Sequence, residues 1–376
     1  MSKSSIIENL ETFPLNLALK HSFITALGRK NMTRNVLLVL KLSNGVIGYG
    51  EASSSLAIPS ATQEAMTREL LSLKQDLKGM TFSKAFDFIQ RGRPEDIQAT
   101  SFSALEMALY DAKARLNGVG LYQLFGREQY KLETSLTVSA WPQELAKKFV
   151  RKEWINGFRR FKIKVGTEWD KDLKRVLAVH QTVPQAVLIL DGNQGFTVPG
   201  IIEFINELER RNVAIEFLEQ PLPKGSSWEE WALLKDGIRC PIALDESIAT
   251  CQDAEEHIYR KTVDIINIKL AKSGLAEALK IIRIAKQNKI RLMIGCMAES
   301  VVGLTTSVHL ASASGAFDLI DLDSSYLLKP TPKLQGGFEE KGPFLKVLPR
   351  VKGSGVRVQL NLSKGKRSNK LVSASY

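Results

Sequence analysis

The chain has 376 residues, 44% hydrophobic and 24% charged, with a formal net charge of +12. That length and mix allow a large buried core, in one large barrel with a smaller domain, and exclude a low-complexity chain. The positive charge is scattered apart from residues 363–370 (SKGKRSNK), and no basic stripe interleaves with aromatics, which argues against a nucleic-acid partner.

Residues 1 to about 50 read as strands. Arg34–Leu42 and Val46–Glu51 flank Asn44-Gly45, a hairpin signal, and His21–Lys30 upstream reads as a loop-like segment between strands. Amphipathic helices follow at Ser60–Leu77 and Thr81–Gln90. Phe102, Leu105, Leu109, Ala112 and Leu116 then recur at helical spacing before Gly118. Residues 1–130 are thus expected to form an α+β unit.

After about residue 130, short apolar runs alternate with amphipathic helices. The expected strands are Thr134–Ser139, Phe158–Val165, Val187–Asp191, Ala214–Glu219, Ile242–Asp245, Asp264–Lys269, Arg291–Cys296 and Phe317–Asp321. Helices such as Glu168–Thr182, Ile201–Arg211 and Leu275–Asn288 lie between them. Eight strands with helical crossovers predict an α/β fold, a (β/α)8-type barrel over 131–330. No glycine-rich phosphate loop follows the first strand, which disfavours an open doubly wound sheet. Residues 331–376 are turn-rich and are expected to run back toward the N-terminal unit.

Three widely spaced cysteines, Cys240, Cys251 and Cys296, fit a reducing compartment rather than a disulfide framework. The N-terminus lacks a signal-peptide pattern and no run has transmembrane length, so the expected location is cytoplasmic, with no membrane partner.

In such a barrel the active site lies at the C-terminal ends of the strands. Strand two ends with Lys162 and Lys164 on one face, two residues apart. Adjacent ammonium groups disfavour each other, which a fold accepts when one lysine must act as a base or an anion lies between them. Asp191, Glu219 and Asp245 end strands three, four and five, and three converging carboxylates suit Mg2+. Asn193 and Glu246 are placed behind them as orienting groups. Lys269 ends strand six, diametrically opposite strand two. A substrate over the metal then has a lysine on each face, one to remove an α-proton and one to return it to the opposite side.

These motifs, KxK, DxN, EQP, DES and IKLxK, together resemble the muconate-lactonising subgroup of the enolase superfamily over nearly the whole chain. The resemblance implies the modified (β/α)7β barrel under an N-terminal capping domain. It also implies Lys164 and Lys269 as acid/base pair, Lys162 as a partner of the substrate carboxylate, and Asp191, Glu219 and Asp245 as Mg2+ ligands. Asp321 and Asp323, at the end of strand eight, resemble the signature of dipeptide epimerases, where a cationic α-ammonium is held. Thr137, Cys296 and Ala298 match substrate-pocket positions by the same likeness.

The implied substrate is an L-Ala-L-Xaa-like dipeptide. The resemblance places side-chain selection in loops near Phe23–Lys30 and Ala52–Ser60. Relatives acting on Ala-Glu carry an arginine in the first loop, where this chain has Gly28, with Arg29 adjacent. The second loop, SSSLAIPS, is uncharged. A neutral or hydrophobic Xaa is therefore expected, with Arg29 keeping an acidic one open. Alternatives with the same lysines are an N-succinylamino acid racemase, an o-succinylbenzoate synthase or a muconate cycloisomerase. A non-enzymatic alternative is an inactive barrel binding anionic ligands. Members of the subgroup often form symmetric assemblies, which extends to a homo-oligomer here without a surface pattern that marks one. The turn after Lys269, KLAKSGL, has one glycine fewer than the family pattern and is expected to differ slightly.

Overall fold

The computed structural model describes residues 5–126 and 129–359; the basic segment 363–370 lies outside them. The N-terminal unit opens with an antiparallel meander of β1 (Ile7–Thr25), β2 (Gly28–Leu42) and β3 (Ile47–Ala52). The segment His21–Lys30 is not a loop. Phe23 pairs with Lys30 and Thr25 with Gly28, beyond an irregularity between Ala18 and Phe23. The turn is only Ala26-Leu27, a pair without the Asn-Gly chemistry that marks such turns.

Three helices follow the meander, α1 (Gln63–Leu77), α2 (Phe82–Arg91) and α3 (Ala99–Leu116); α1 and α3 pack on its strands and α2 packs against α3. Thr62 and Thr81 cap the first two, accepting hydrogen bonds from the N–H groups of Ala65 and Lys84. Nearly every side chain of α3 is buried, because this helix is wedged between β3 and the barrel.

After β4 (Leu132–Glu133), the barrel runs through β5 (Leu136–Val138), β6 (Arg160–Lys164), β7 (Val187–Asp191) and β8 (Phe217–Glu219). It continues with β9 (Ile242–Leu244), β10 (Ile265–Lys269), β11 (Arg291–Gly295) and β12 (Leu319–Asp321). These eight are parallel neighbours in sequence order. The ring closes where Ser135 N–H donates to Ile320 O at 2.9 Å and Leu322 N–H to Thr134 Oγ1 at 2.8 Å. The crossovers are α4 (Gln143–Ile155), α5 (Trp169–Thr182), α6 (Val198–Arg210), α7 (Trp228–Gly237), α8 (Cys251–Tyr259), α9 (Leu270–Gln287) and α10 (Val301–Ser314). Among the described residues only the four-residue α11 (Ser324–Leu327) follows β12, in place of an eighth crossover helix, and the barrel is of the (β/α)7β form.

The returning segment holds β13 (Leu334–Gln335), β14 (Phe338–Lys341), β15 (Phe344–Val347) and β16 (Arg357–Val358). Its Leu334 and Val356 pack against Leu15 and Leu17 of β1 and Leu37 and Val39 of β2. No helix among the described residues is long and apolar enough to cross a membrane.

Strand periodicity positions the site. Side chains two apart on a strand share a face. Ile189, Phe217, Ala243, Ile265, Met293 and Leu319 form an apolar plug inside the barrel. Two residues further along those strands stand Asp191, Glu219, Asp245, Asn267, Gly295 and Asp321. The interior thus switches from hydrocarbon to polar chemistry within one layer of side chains.

Candidate active site

The polar layer opens into a cavity under the capping domain. The barrel contributes Thr137, Lys162, Lys164, Asn193, Asp245, Glu246, Lys269, Cys296, Ala298, Asp321 and Asp323 to its wall. Capping-domain residues Phe23, Thr25, Leu27, Lys30, Ser55, Leu56 and Ala57 close it from above. The hairpin tip is fixed over the mouth, since Trp141 Nε1 donates to Ser22 O at 2.6 Å and Ala140 N–H to Ile24 O at 3.0 Å.

Lys164 and Lys269 stand on β6 and β10, four strands apart in the eight-stranded ring, and so face each other across it. Each is aimed by one carboxylate: Lys164 Nζ donates to Asp191 Oδ2 at 2.5 Å and Lys269 Nζ to Asp245 Oδ2 at 2.6 Å. Burial alone lowers the pKa of Lys269, but the Asp245 carboxylate holds it above its ordinary value. Gly295 makes room for this arm, because a Cβ there would stand 2.9 Å from Lys269 Cε.

Lys162 is a hub, 2% exposed. It is bonded closely to Asp321, lies 3.2 Å from Glu219 Oε2 and lies 3.6 Å from Asp191 Oδ2. Burial opposes its charge, yet these three acids raise its pKa well above normal. Asp321 also accepts from Ser135 Oγ at 2.7 Å. Its negative charge is therefore already answered inside the protein. Asp323 is different: it accepts from the Thr137 N–H at 2.7 Å and faces no cation in ion-pair contact among the described residues. Burial and neighbouring Asp321 push its pKa up to about 6. Cys296 lies beside this pair, with Sγ donating to Asp321 O at 3.4 Å. Burial and Asp323 raise its thiol pKa, so it rests as a neutral thiol. Ala298 meets the capping domain through its carbonyl, which accepts from Asn35 Nδ2 at 2.9 Å.

Asp191 and Glu219 end β7 and β8, where they are directly paired, and Asp245 immediately follows β9. Each is oriented from behind. Asp191 Oδ1 accepts from the Asn193 N–H at 3.0 Å, and Glu219 Oε1 from Asn267 Nδ2 at 2.7 Å. Gln220 Oε1 accepts the Asp245 N–H at 3.0 Å. The acids repel one another: burial and Asp191 raise Glu219 to about 6, and burial and Asp245 raise Glu246 to about 8. Among the described residues no three acidic, cysteine or histidine side chains already close into a cage. Lysine ammonium groups lie between the carboxylates instead. Beside them, the buried oxygens Asn193 Oδ1, Asn267 Oδ1 and Glu246 Oε2 have no hydrogen-bond partner among the described residues. Crowded carboxylates with spare hard oxygens are a donor set that fits Mg2+.

Three features escaped the sequence reading. Lys272 is buried and donates to Ile248 O at 2.6 Å, to Asn267 O at 2.8 Å and, more closely, to Asp245 O. It turns inward because the chain kinks at Gly274, whose φ of +75° suits glycine. That kink is where the turn after Lys269 departs from a plain helix start. Lys30 lines the cavity, whereas Arg29 turns away and donates to Ser22 Oγ at 2.7 Å. The alternation of the hairpin strand explains both directions, but only once the segment is known to be a strand. Finally, Glu51 and Glu106 of the capping domain accept hydrogen bonds from barrel N–H groups. Glu51 takes those of Ser300 and Gly303, and Glu106 those of Leu275 (2.6 Å) and Ala276 (3.1 Å).

A capping domain over a seven-helix barrel, with acids on three successive strands and opposed lysines, defines an enolase-type enzyme. Residues 9–126 match the mandelate racemase/muconate lactonizing enzyme N-terminal domain and residues 144–361 the enolase C-terminal domain-like family. The chain belongs to the mandelate racemase/muconate lactonizing enzyme family of the enolase superfamily, and it is an isomerase.

It is 32% identical to a hydrophobic dipeptide epimerase of Citrifermentans bemidjiense, over 93% of this chain and all of that one. It is 33% identical to an L-Ala-D/L-Glu epimerase of Thermotoga maritima, over 84% of this chain and 91% of that one. A solved dipeptide epimerase of Enterococcus faecalis, complexed with Mg and L-Leu-L-Tyr, superposes with a TM-score of 0.86 at 30% identity, covering 94% of this chain and 99% of the other.

Proposed function

We propose that this chain is a Mg2+-dependent dipeptide epimerase that inverts the α-carbon of the C-terminal residue of an L-Ala-L-Xaa-like dipeptide. The observation that carries the reading is the opposition of Lys164 and Lys269 across one cavity, each aimed by its own carboxylate. Asp191, Glu219 and Asp245 hold the metal. Mg2+, when bound, supplies positive charge to the substrate carboxylate.

One lysine, in its neutral form, takes the α-proton as the Cα–H bond breaks. The bonding pair moves into the carboxylate to give an ene-diolate. The lysine on the opposite face, in its ammonium form, then donates a proton to Cα, and the configuration is inverted. Lys162 lends further charge to the carboxylate side. Asp323 receives the substrate α-ammonium, with Asp321 behind it, since Asp321 is already held by Lys162. Thr137, Cys296 and Ala298 form the wall around that end. N-acyl amino acids, muconates and succinylbenzoates offer Asp323 no cation, so a buried carboxylate would stay unpaired against them. The three unpaired thiols lead us to place the enzyme in the reducing cytoplasm.

The test is incubation with a library of L-Ala-L-Xaa dipeptides in D2O with Mg2+, read by mass spectrometry for α-proton exchange. Exchange in N-succinyl amino acids but in no dipeptide would overturn the reading. As to Xaa, Gly28 and the uncharged second loop favour a neutral or hydrophobic side chain, and Phe23, Leu27 and Leu56 supply apolar wall for its stem. Lys30 stands at the end of that wall.

A further inference from the structure

We propose that Arg175 is a positioning residue for the proton transfer made by Lys164, and that the transfer made by Lys269 does not depend on it. The proposal rests on the dipeptide-epimerase reading above and adds to it a residue outside the reaction cavity.

Lys164 stands where β6 loses one of its two neighbours. On the β7 side the ladder runs on, with Lys164 paired with Asp191 and the Val165 N–H donating to Asp191 O at 2.9 Å. On the β5 side pairing ends at Val138 and Ile163. Residues 139–141 then leave β6 to hold the hairpin: Ser139 Oγ donates to Ile24 O at 2.8 Å and Trp141 Nε1 to Ser22 O at 2.6 Å. The backbone that carries Lys164 is thus short of a strand partner on one side, in the interior, where an unmet carbonyl is unfavourable.

Arg175 fills that opening. It is 3% exposed. Its Nη1 donates to Lys164 O at 2.9 Å and its Nε to Trp141 O at 2.6 Å, so one guanidinium spans the gap between two diverging strands. A planar fork suits two carbonyls at a fixed separation, which a lysine ammonium does not match. The fork is itself aimed. Asp172 lies one turn earlier on α5, and its Oδ1 accepts from Arg175 Nη1 at 2.7 Å. The same carboxylate accepts from the Thr167 N–H at 2.8 Å and from Thr167 Oγ1 at 2.7 Å, which anchors the loop just after Lys164. A buried ion pair is often no more stabilising than apolar packing. What apolar side chains could not do here is hold the Lys164 carbonyl.

The polar partners of Arg175 among the described residues are Trp141, Lys164 and Asp172. None lies on β10, and Lys269 is aimed separately, by Asp245 at 2.6 Å. Displacing the end of β6 therefore moves one base and not the other. A misplacement of about 1 Å costs about 100-fold in rate at such a centre.

The experiment follows α-proton exchange in D2O with the full-length, Mg2+-loaded enzyme, separately for the L,L and L,D epimers of the L-Ala-Xaa dipeptide that exchanges fastest in the library above. Lys164→Ala identifies the epimer that Lys164 deprotonates. Arg175→Met and Arg175→Lys should lower exchange of that epimer by about 10- to 100-fold, through kcat more than KM. The other epimer should change by less than about threefold, because Lys269 can take its α-proton and return a deuteron to the same face. Arg175→Lys keeps a charge for Asp172 and serves where Arg175→Met does not fold. In Arg175→Ala, guanidinium chloride at about 50 mM, well below denaturing levels, should restore the lost exchange several-fold, while NaCl at the same concentration should not. The guanidinium ion has a way in, since Arg175 lines the cleft beneath the hairpin with Trp141 and Thr167. Equal loss for both epimers, or loss for neither, overturns the assignment of Arg175. Absence of exchange throughout the library with wild-type enzyme would overturn the epimerase reading, and this assignment with it.

Discussion

Lys272→Met is the substitution whose effect the structure sets most directly. Methionine keeps the length and volume of the stem but offers no donor. The ammonium of Lys272 is shared among the carbonyls of Asp245, Ile248 and Asn267, with the Asp245 carboxylate at 3.0 Å. All of this lies in the interior, where Lys272 is 6% exposed. The substitution takes a partner from the carbonyls of Ile248 and Asn267 and from that of Asp245, which keeps the Ile248 N–H at 3.1 Å, and it removes one of the two cations that hold Asp245 ionised. An unsatisfied buried acceptor costs about 1–3 kcal/mol, and breaking a buried ion pair about 3–5 kcal/mol. These overlap, because one ammonium supplies them all, so a loss of about 3–5 kcal/mol in unfolding free energy is expected. Urea unfolding at neutral pH measures it. Activity should also fall, because the same contacts fix the end of β9 and the loop after it, where Asp245 stands. A variant within about 1 kcal/mol of wild type would show that water or a neighbouring donor replaces the ammonium, and would refute the reasoning.

Lys164→Ala and Lys269→Ala should each reduce epimerisation by roughly 10²- to 10⁴-fold. Each should retain α-proton exchange in D2O with only one of the two epimers, the opposite one for each variant; exchange lost or kept identically in both would refute the two-base assignment. Asp323→Asn should raise KM for dipeptides by about 10- to 100-fold with little change in stability. Asp321→Asn should also destabilise the fold, because it leaves Lys162 without its closest partner, and equal urea midpoints for the two variants would contradict the division of labour between them.

Glu106 should make stability pH-dependent. Burial raises its pKa from 4.5 to about 7, against the bonds it accepts from Ala276 and Leu275. The folded state therefore binds more protons than the unfolded state between those values. Stability should fall as pH rises from about 4.5 to 7 and level off above, by up to about 3 kcal/mol from this group. Glu106→Gln should flatten that limb when urea midpoints are compared from pH 5 to 8; parallel curves would refute it.

The barrel was legible because its strands are short apolar runs, and each charged residue at a run's end announces where the run meets the cavity. The opposition of Lys164 and Lys269 followed from counting strands. Other facts depend on distances across the ring or on local backbone that pattern does not encode. Nothing in the order of residues reveals that Lys162 is bonded to Asp321, 159 positions away. Lys272 looks like an ordinary helical lysine until the kink at Gly274 turns it inward. The hairpin at residues 21–30 mixes polar and apolar residues on both faces, so its period of two is hidden, and the outward turn of Arg29 is hidden with it. Trp228 and Trp231 of α7 both meet His257 edge-on. His21 meets Trp141 edge-on at 5.5 Å.

Glu51 and Glu106 have a consequence for inheritance by recombination. Each belongs to the capping domain, yet each satisfies N–H groups at the start of a barrel helix that the barrel leaves open. The seam between the two halves is thus written in charge as well as in shape. A chimera that joins this capping domain to another family member's barrel must match helix starts at two points. The hairpin tip at Ala26-Leu27 takes no part in these bonds. Exchanging that tip alone leaves those bonds intact, while whole-domain exchange carries the burden of a mismatched seam.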